Sequence, residues 1–236
     1  MAIKTVLFDL DGTLLPMDQN AFMKIYFGGL SNKLAPFGYE PKSLIDAVWA
    51  GTDAMIKNDG NCRNETVFWD KFTAILGEEV REREEDLDHF YRNEFSAAKA
   101  ACGENPMARK VIDRVKALGL TAVLATNPFF PAIATETRMS WVGLTPQDFA
   151  LVTTYENSGS CKPNPNYYSE IVEKLGLDPT ECLMVGNDVN EDMIAETLGM
   201  KVFLLTDCLI NKDERDISAY PSGGFPELLS YLDALA

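Results

Sequence analysis

The chain has 236 residues, 46% of them hydrophobic and 24% charged, the balance of an ordinary globular protein and not of a disordered one. With 36 acidic against 21 basic residues the formal charge is −15, so the surface should repel nucleic acid phosphates and anionic lipid headgroups. A small anionic ligand stays compatible with that charge, because a bound cation and a lysine can reverse the sign within a cleft.

In chain order, the first predicted element is a strand, Thr5 to Leu10. It is reached from Met1 with no basic flank, small-residue cleavage site or long apolar run to mark export or membrane insertion. From Pro16 to Ala101 helical periodicity dominates. Helices are predicted there over Ala21 to Leu34, Lys42 to Ile56, Thr66 to Leu76 and Glu82 to Lys99, punctuated by Pro36, Gly38, Pro41, Gly60 and Gly77. The run Glu78 to Asp88 mixes both signs of charge and reads as a solvated helix face.

Beyond residue 101 the pattern changes. Apolar strands predicted at Thr121 to Ala125, Phe149 to Thr154, Cys182 to Val185 and Lys201 to Leu205 alternate with helices at Met107 to Leu118, Asn166 to Leu175 and Glu191 to Leu198. Glycines 119, 176 and 199 close these helices. Such alternation predicts an α/β fold: a Rossmann-like parallel sheet core with helices on both faces, formed by residues 1–15 and 102–236, plus an inserted all-α domain over 16–101. Five scattered cysteines without a C-x-x-C pair fit reduced thiols, hence a cytoplasmic setting.

Four strand ends carry polar punctuation. The first strand ends in Asp9-Leu10-Asp11-Gly12-Thr13, two acids one residue apart before a glycine. Like charges this close raise the pKa of one carboxyl, so one can act as nucleophile while the other donates a proton. Turn capping by the two aspartates explains the same residues equally simply. The second strand ends in Thr126-Asn127, a hydroxyl and an amide able to bind an oxyanion with the free N–H groups of a following turn. Lys162 precedes Pro163 and Pro165, which stiffen its loop, and an ammonium there would offset repulsion between Asp9 and an incoming phosphate. Gly186-Asn187-Asp188 through Asp192 closes the next strand, where Asp188 can serve as a magnesium ligand and Asp192 can orient the lysine. Helix capping is the alternative for that segment. All four punctuations fall at the carboxyl edge of the predicted sheet, where ligands bind in open parallel α/β folds.

Taken together and in order, these motifs resemble those of the haloacid dehalogenase superfamily of aspartate-nucleophile phosphatases, over essentially the whole chain. The resemblance implies that Asp9 becomes phosphorylated and that Asp11 acts as general acid and then base. It implies that Thr126, Asn127 and Lys162 bind the phosphoryl group, and that Mg2+ is held by Asp9, Asp11 through its carbonyl, and Asp188, with Asp192 behind them. It also makes the segment 16–101 a mobile cap that sets substrate choice. Dehalogenase members lack the second acid of the first motif, so Asp11 favours phosphoryl chemistry. The implied substrate is a small phosphorylated metabolite, with no nucleic acid or membrane partner and a monomeric or homodimeric state. A sugar phosphomutase with the same nucleophile, or a non-catalytic binding protein on this fold, is the alternative.

The remaining candidates read as structural. His89 is the only histidine and falls on a predicted helix, so no histidine triad can be assembled. Trp49, Trp69 and Trp141 read as packing residues, while Phe129 and Phe130 read equally as core or as substrate contacts.

Overall fold

The computed structural model describes residues 2–235. Five parallel strands form one sheet: β1 (Thr5–Phe8), β2 (Thr121–Leu124), β3 (Cys182–Gly186), β4 (Lys201–Leu205) and the short β5 (Ser222–Gly223), in the order β2-β1-β3-β4-β5. β1 therefore sits inside the sheet, with Phe8 level with Leu124 on one side and Val185 on the other. The residues that follow these three strands accordingly emerge side by side.

Eight α-helices are described: α1 (Gln19–Leu34), α2 (Pro41–Ile56), α3 (Asn64–Leu76), α4 (Glu84–Arg92), α5 (Pro106–Ala117), α6 (Ala132–Ser140), α7 (Pro165–Leu175) and α8 (Phe225–Leu235). Strand residues alternate between two apolar layers, as the period-two geometry of a strand requires. Val6, Phe8, Leu124 and Val185 pack with Val111, Ile112 and Val115 of α5 and Leu228 and Leu232 of α8. Leu7, Val123 and Met184 pack on the other face with Tyr167, Tyr168 and Ile171 of α7. Both faces are covered, which is why the strands read as continuous apolar runs. Among the described residues no helix is long and apolar enough to cross a membrane.

The helical segment leaves and rejoins the sheet through a narrow neck. Met17 bridges Cys102 in antiparallel fashion, and Asp18 N–H donates to the Ala101 carbonyl at 2.9 Å while Gly103 N–H donates to Pro16 at 2.8 Å. Asp18 then starts α1, its carboxylate accepting from the Ala21 N–H at 3.0 Å. The segment has its own apolar cluster, rich in rings that include Phe22, Tyr26, Trp69, Phe72, Phe90 and Phe95. Ala134 of α6 is buried in this same cluster, although α6 belongs by sequence to the sheet-forming half.

Three predicted elements differ from those observed. The strand expected at Phe149 to Thr154 is reduced to a single bridge, Val152 to Leu124. The segment still runs beside β2, with the Ala150 N–H donating to Ala122 at 2.8 Å, the Leu124 N–H to Leu151 at 2.9 Å and the Thr153 N–H to Leu124 at 3.0 Å, while the Val152 carbonyl accepts from the Asn157 side chain at 2.8 Å. The helix expected over Glu82 to Lys99 is a 3-10 turn at Glu78–Arg83, α4, and a second 3-10 stretch at Glu94–Ala101. The α4 helix ends at Asn93, whose backbone leaves the helical conformation at φ −121° and whose side chain and N–H both donate to the His89 carbonyl, at 2.8 and 3.1 Å. The helix expected over Glu191 to Leu198 begins only at Met193 and is wound as 3-10, because Asp192 is drawn into contacts described below. Two helices, α6 and α8, and the strand β5 were not expected.

Asp148 fixes the outer loop against α5. Its carboxylate meets Arg109 at 2.6 Å and Lys116 at 2.6 Å and accepts from the Thr145 N–H at 2.9 Å. Burial would raise its pKa, but these partners together hold it well below the usual carboxylate range. A depressed folded-state pKa gives stability that is present above the unfolded value and lost as pH falls below it. Asp148→Ala is therefore expected to lower the unfolding free energy by about 1–2 kcal/mol at pH 7. That difference should shrink as the pH is taken below roughly 4, which urea denaturation at several pH values will measure.

Candidate active site

Three of the four polar segments singled out in the sequence reach one cavity of 840 Å³, whose lining includes Asp9, Asp11, Thr126, Asn127, Asp188 and Asp192. Lys162 lies behind that lining, bonded to two of its carboxylates. Only 1% of the Lys162 side chain is exposed, and its ammonium donates to Asp9 Oδ1 at 2.9 Å and to Asp192 Oδ1 at 2.6 Å. Burial would strip its proton, but Asp192 and Asp9 more than reverse that and hold its pKa well above the ordinary lysine value. Burial likewise pushes the Asp192 carboxyl up, against the pull of Lys162. The Lys162–Pro163 peptide is cis.

The loops that carry these groups are fitted to one another. Asp192 Oδ2 accepts from the Asp188 N–H at 2.9 Å, and a Cβ at Gly186 would overlap the Asp192 carboxylate, so only glycine serves there. Thr13 donates to Asn187 Oδ1 at 2.9 Å, and Gly12, with φ at +89°, lies so close to the Asn187 amide that a side chain would displace it. Asp188 Oδ1 accepts from the Asn190 and Glu191 N–H groups at 2.8 and 3.0 Å, an Asx turn that aims its other oxygen elsewhere.

Thr126 is held by its carbonyl, which accepts from Thr153 at 2.6 Å and from the Tyr167 hydroxyl at 2.9 Å. Among the described residues no protein group bonds its own hydroxyl. Asn127 is placed differently from expectation. Its amide nitrogen donates to Glu191 Oε2 at 2.9 Å and to the Lys162 carbonyl at 3.4 Å, so both donors are already engaged and only its backbone N–H is open to an anion.

Sequence reasoning missed Arg138. It is buried on α6 with 1% of its side chain exposed, and its guanidinium forms an ion pair with Asp11 Oδ2. It also donates to Thr135 Oγ1 at 3.3 Å and lies 4.5 Å from the centre of the Phe130 ring. The one available signal was an arginine set three and four residues after Thr135 and Ala134 on a short helix, which carries no motif. Glu191, beside the predicted Asp188, secures Asn127.

Asp11 Oδ1 is buried and, among the described residues, without a protein partner. Burial raises the Asp11 pKa, Arg138 opposes that rise, and Asp9 adds to it. The oxygen-rich donor set carries more negative charge than Lys162 and Arg138 offset. No three His, Cys, Asp or Glu side chains among the described residues converge as a complete metal cage. Two carboxylates with a carbonyl and waters form the incomplete oxygen shell that Mg2+ accepts, so the residues present fit that ion.

A parallel α/β sheet with this set of groups at its carboxyl edge defines a hydrolase of haloacid dehalogenase type. The model of the haloacid dehalogenase-like hydrolase family matches residues 3–195, and the chain belongs to that family. Phosphoglycolate phosphatase of Aliivibrio fischeri is 26% identical over 208 residues, covering 86% of this chain and 84% of that protein. YhcW of Bacillus subtilis is 27% identical over 121 residues, which span 51% of this chain and only 54% of YhcW. A solved 2-haloacid dehalogenase from Pseudomonas syringae superposes with a TM-score of 0.64 over 99% of this chain and 100% of that one, at 19% identity, a likeness of fold.

Proposed function

We propose that the protein is a Mg2+-dependent phosphomonoester hydrolase. The observation that carries this reading is the buried Lys162 joining Asp9 to Asp192 behind the wall of the cavity that Asp11 also lines, where Asp11 Oδ1 is without a protein partner among the described residues. An unpaired Asp9 oxygen attacks phosphorus, forming an Asp9 acyl phosphate as the bond to the leaving oxygen breaks. Asp11, which burial favours in its protonated form, gives its proton to that leaving oxygen. Asp11 then takes a proton from the water that hydrolyses the acyl phosphate, releasing inorganic phosphate and restoring Asp9.

Lys162, the Thr126 hydroxyl and the Asn127 backbone N–H would bind the phosphoryl oxygens, with Asp192 fixing the lysine. Asp9, Asp188 and the Asp11 carbonyl would hold Mg2+, which when bound supplies charge neutralisation and orients the phosphoryl group. Residues 16–101 form the cap in this reading, and residues 1–15 and 102–236 the catalytic core. The neck at Met17 and Cys102 supports that division, since the chain crosses between the two parts through two adjacent segments. The A. fischeri relative supports a small phosphorylated substrate.

The test is phosphate release from 4-nitrophenyl phosphate. Turnover is expected with Mg2+, to fall to the uncatalysed background on chelation with EDTA, and to return when Mg2+ is restored in excess. Turnover that survives chelation overturns the reading.

A further inference from the structure

The cavity is far larger than phosphoryl transfer itself requires, and away from Asp9 aromatic rings make up much of its wall. Tyr26, Phe27, Trp49, Trp69, Tyr91 and Phe130 line it. Two of the five exposed large hydrophobic residues described in the structure, Trp49 at 51% and Ile56 at 43%, also lie on this lining. Exposed apolar side chains that continue inward into a catalytic cavity are surface for a ligand to cover. Trp49 is already braced for stacking, with its ring 5.5 Å from that of Phe27.

The charged groups on the same wall disfavour an acid. Glu65, Glu84, Asp88, Glu136 and Glu156 line the cavity against Arg92 and Lys212. The two buried cations beside the reacting groups are already committed, Lys162 to Asp9 and Asp192 and Arg138 to Asp11. A leaving group with its own carboxylate would enter a cavity of net negative charge and leave ring surface uncovered. Pockets of about 300–1,000 Å³ enclose drug-sized bodies, so the volume of 840 Å³ points to a bulky one.

We infer that the substrate's leaving group is a bulky, largely apolar and preferably aromatic alcohol without a negative charge, seated between the α1–α2 rings and Phe130, and not a short phosphorylated acid. This rests on the phosphatase reading for its chemistry but not for its binding surface. The full-length protein should be assayed with 2-naphthyl phosphate, 2-phosphoglycolate and acetyl phosphate, the last making little demand on the cavity. The expected kcat/KM for 2-naphthyl phosphate exceeds that for 2-phosphoglycolate by about a hundredfold, the effect of two favourable aromatic contacts. Trp49→Ala should raise KM for 2-naphthyl phosphate about tenfold more than for acetyl phosphate. A preference for 2-phosphoglycolate, or a Trp49→Ala effect equal on 2-naphthyl phosphate and acetyl phosphate, overturns the inference while leaving the phosphatase reading intact. If no ester is turned over, the phosphatase reading fails, and calorimetric titration with 2-naphthol decides the cavity. Saturable one-to-one binding weakened by Trp49→Ala supports the inference, and absence of binding overturns it.

Discussion

Asp9→Asn is expected to reduce Mg2+-dependent phosphate release by roughly 10⁴-fold or more, the scale seen when a covalent nucleophile is removed. The amide is nearly isosteric with the carboxylate, and its oxygen can still accept from Lys162, now 2.9 Å from Asp9 Oδ1. The melting temperature should therefore move by no more than a few degrees. Steady-state kinetics beside a thermal melt separates the two effects. Retention of more than a tenth of the activity would falsify the assignment of Asp9 as the attacking group. Loss of activity with a collapsed melt would instead show that Asp9 is needed for the fold.

Lys162→Ala is expected to act on stability as well as on rate. Its removal leaves the carboxylates of Asp9 and Asp192 facing one another with no cation, in a place where the lysine is 1% exposed. Breaking a buried pair in this way costs about 3–5 kcal/mol. For a chain of this length that is a drop in melting temperature of roughly 6–20 °C. Activity should fall about 10²–10³-fold, the effect of losing one preorganised charge beside the transferring group. The sign of the pH dependence follows from the unpaired acids. Burial already raises the Asp192 carboxyl against the pull of Lys162, and with that cation gone its folded-state pKa lies above the unfolded one, so the variant loses further stability as pH rises between the two. The deficit should be smaller at pH 5 than at pH 8, and a pH-independent deficit would show that lost packing, and not unpaired charge, dominates.

How far the sequence disclosed this arrangement depended on what each residue does locally. Asp9, Asp11, Thr126, Lys162 and Asp188 were visible because each follows a buried strand or stiff loop and carries an unusual polar group at the break. The parallel sheet was visible because both its faces are covered, leaving no polar alternation in β1, β2 or β3. Arg138 was hidden because its importance arises from a partner 127 residues away in sequence, and nothing on α6 itself marks it. The strand expected at Phe149 to Thr154 keeps its place beside β2 but only one bridged pair, and the helix expected through Asn93 is interrupted there; at both places a side-chain amide bonds a backbone carbonyl that local sequence does not mark. Trp49 was taken as packing because an aromatic ring on an amphipathic helix reads as core; its exposure could be seen only after the helices were placed.

The helix that carries Arg138 has its own Ala134 wedged among the aromatic rings of the 16–101 segment, and its Phe130 neighbour forms part of the wall facing the ligand. One guanidinium is thus the mechanical link between the surface proposed to choose the substrate and the carboxyl that would protonate its leaving oxygen. Redesign of that wall for a different alcohol will also retune proton delivery, and variants selected for new specificity should carry compensating changes along residues 130–138.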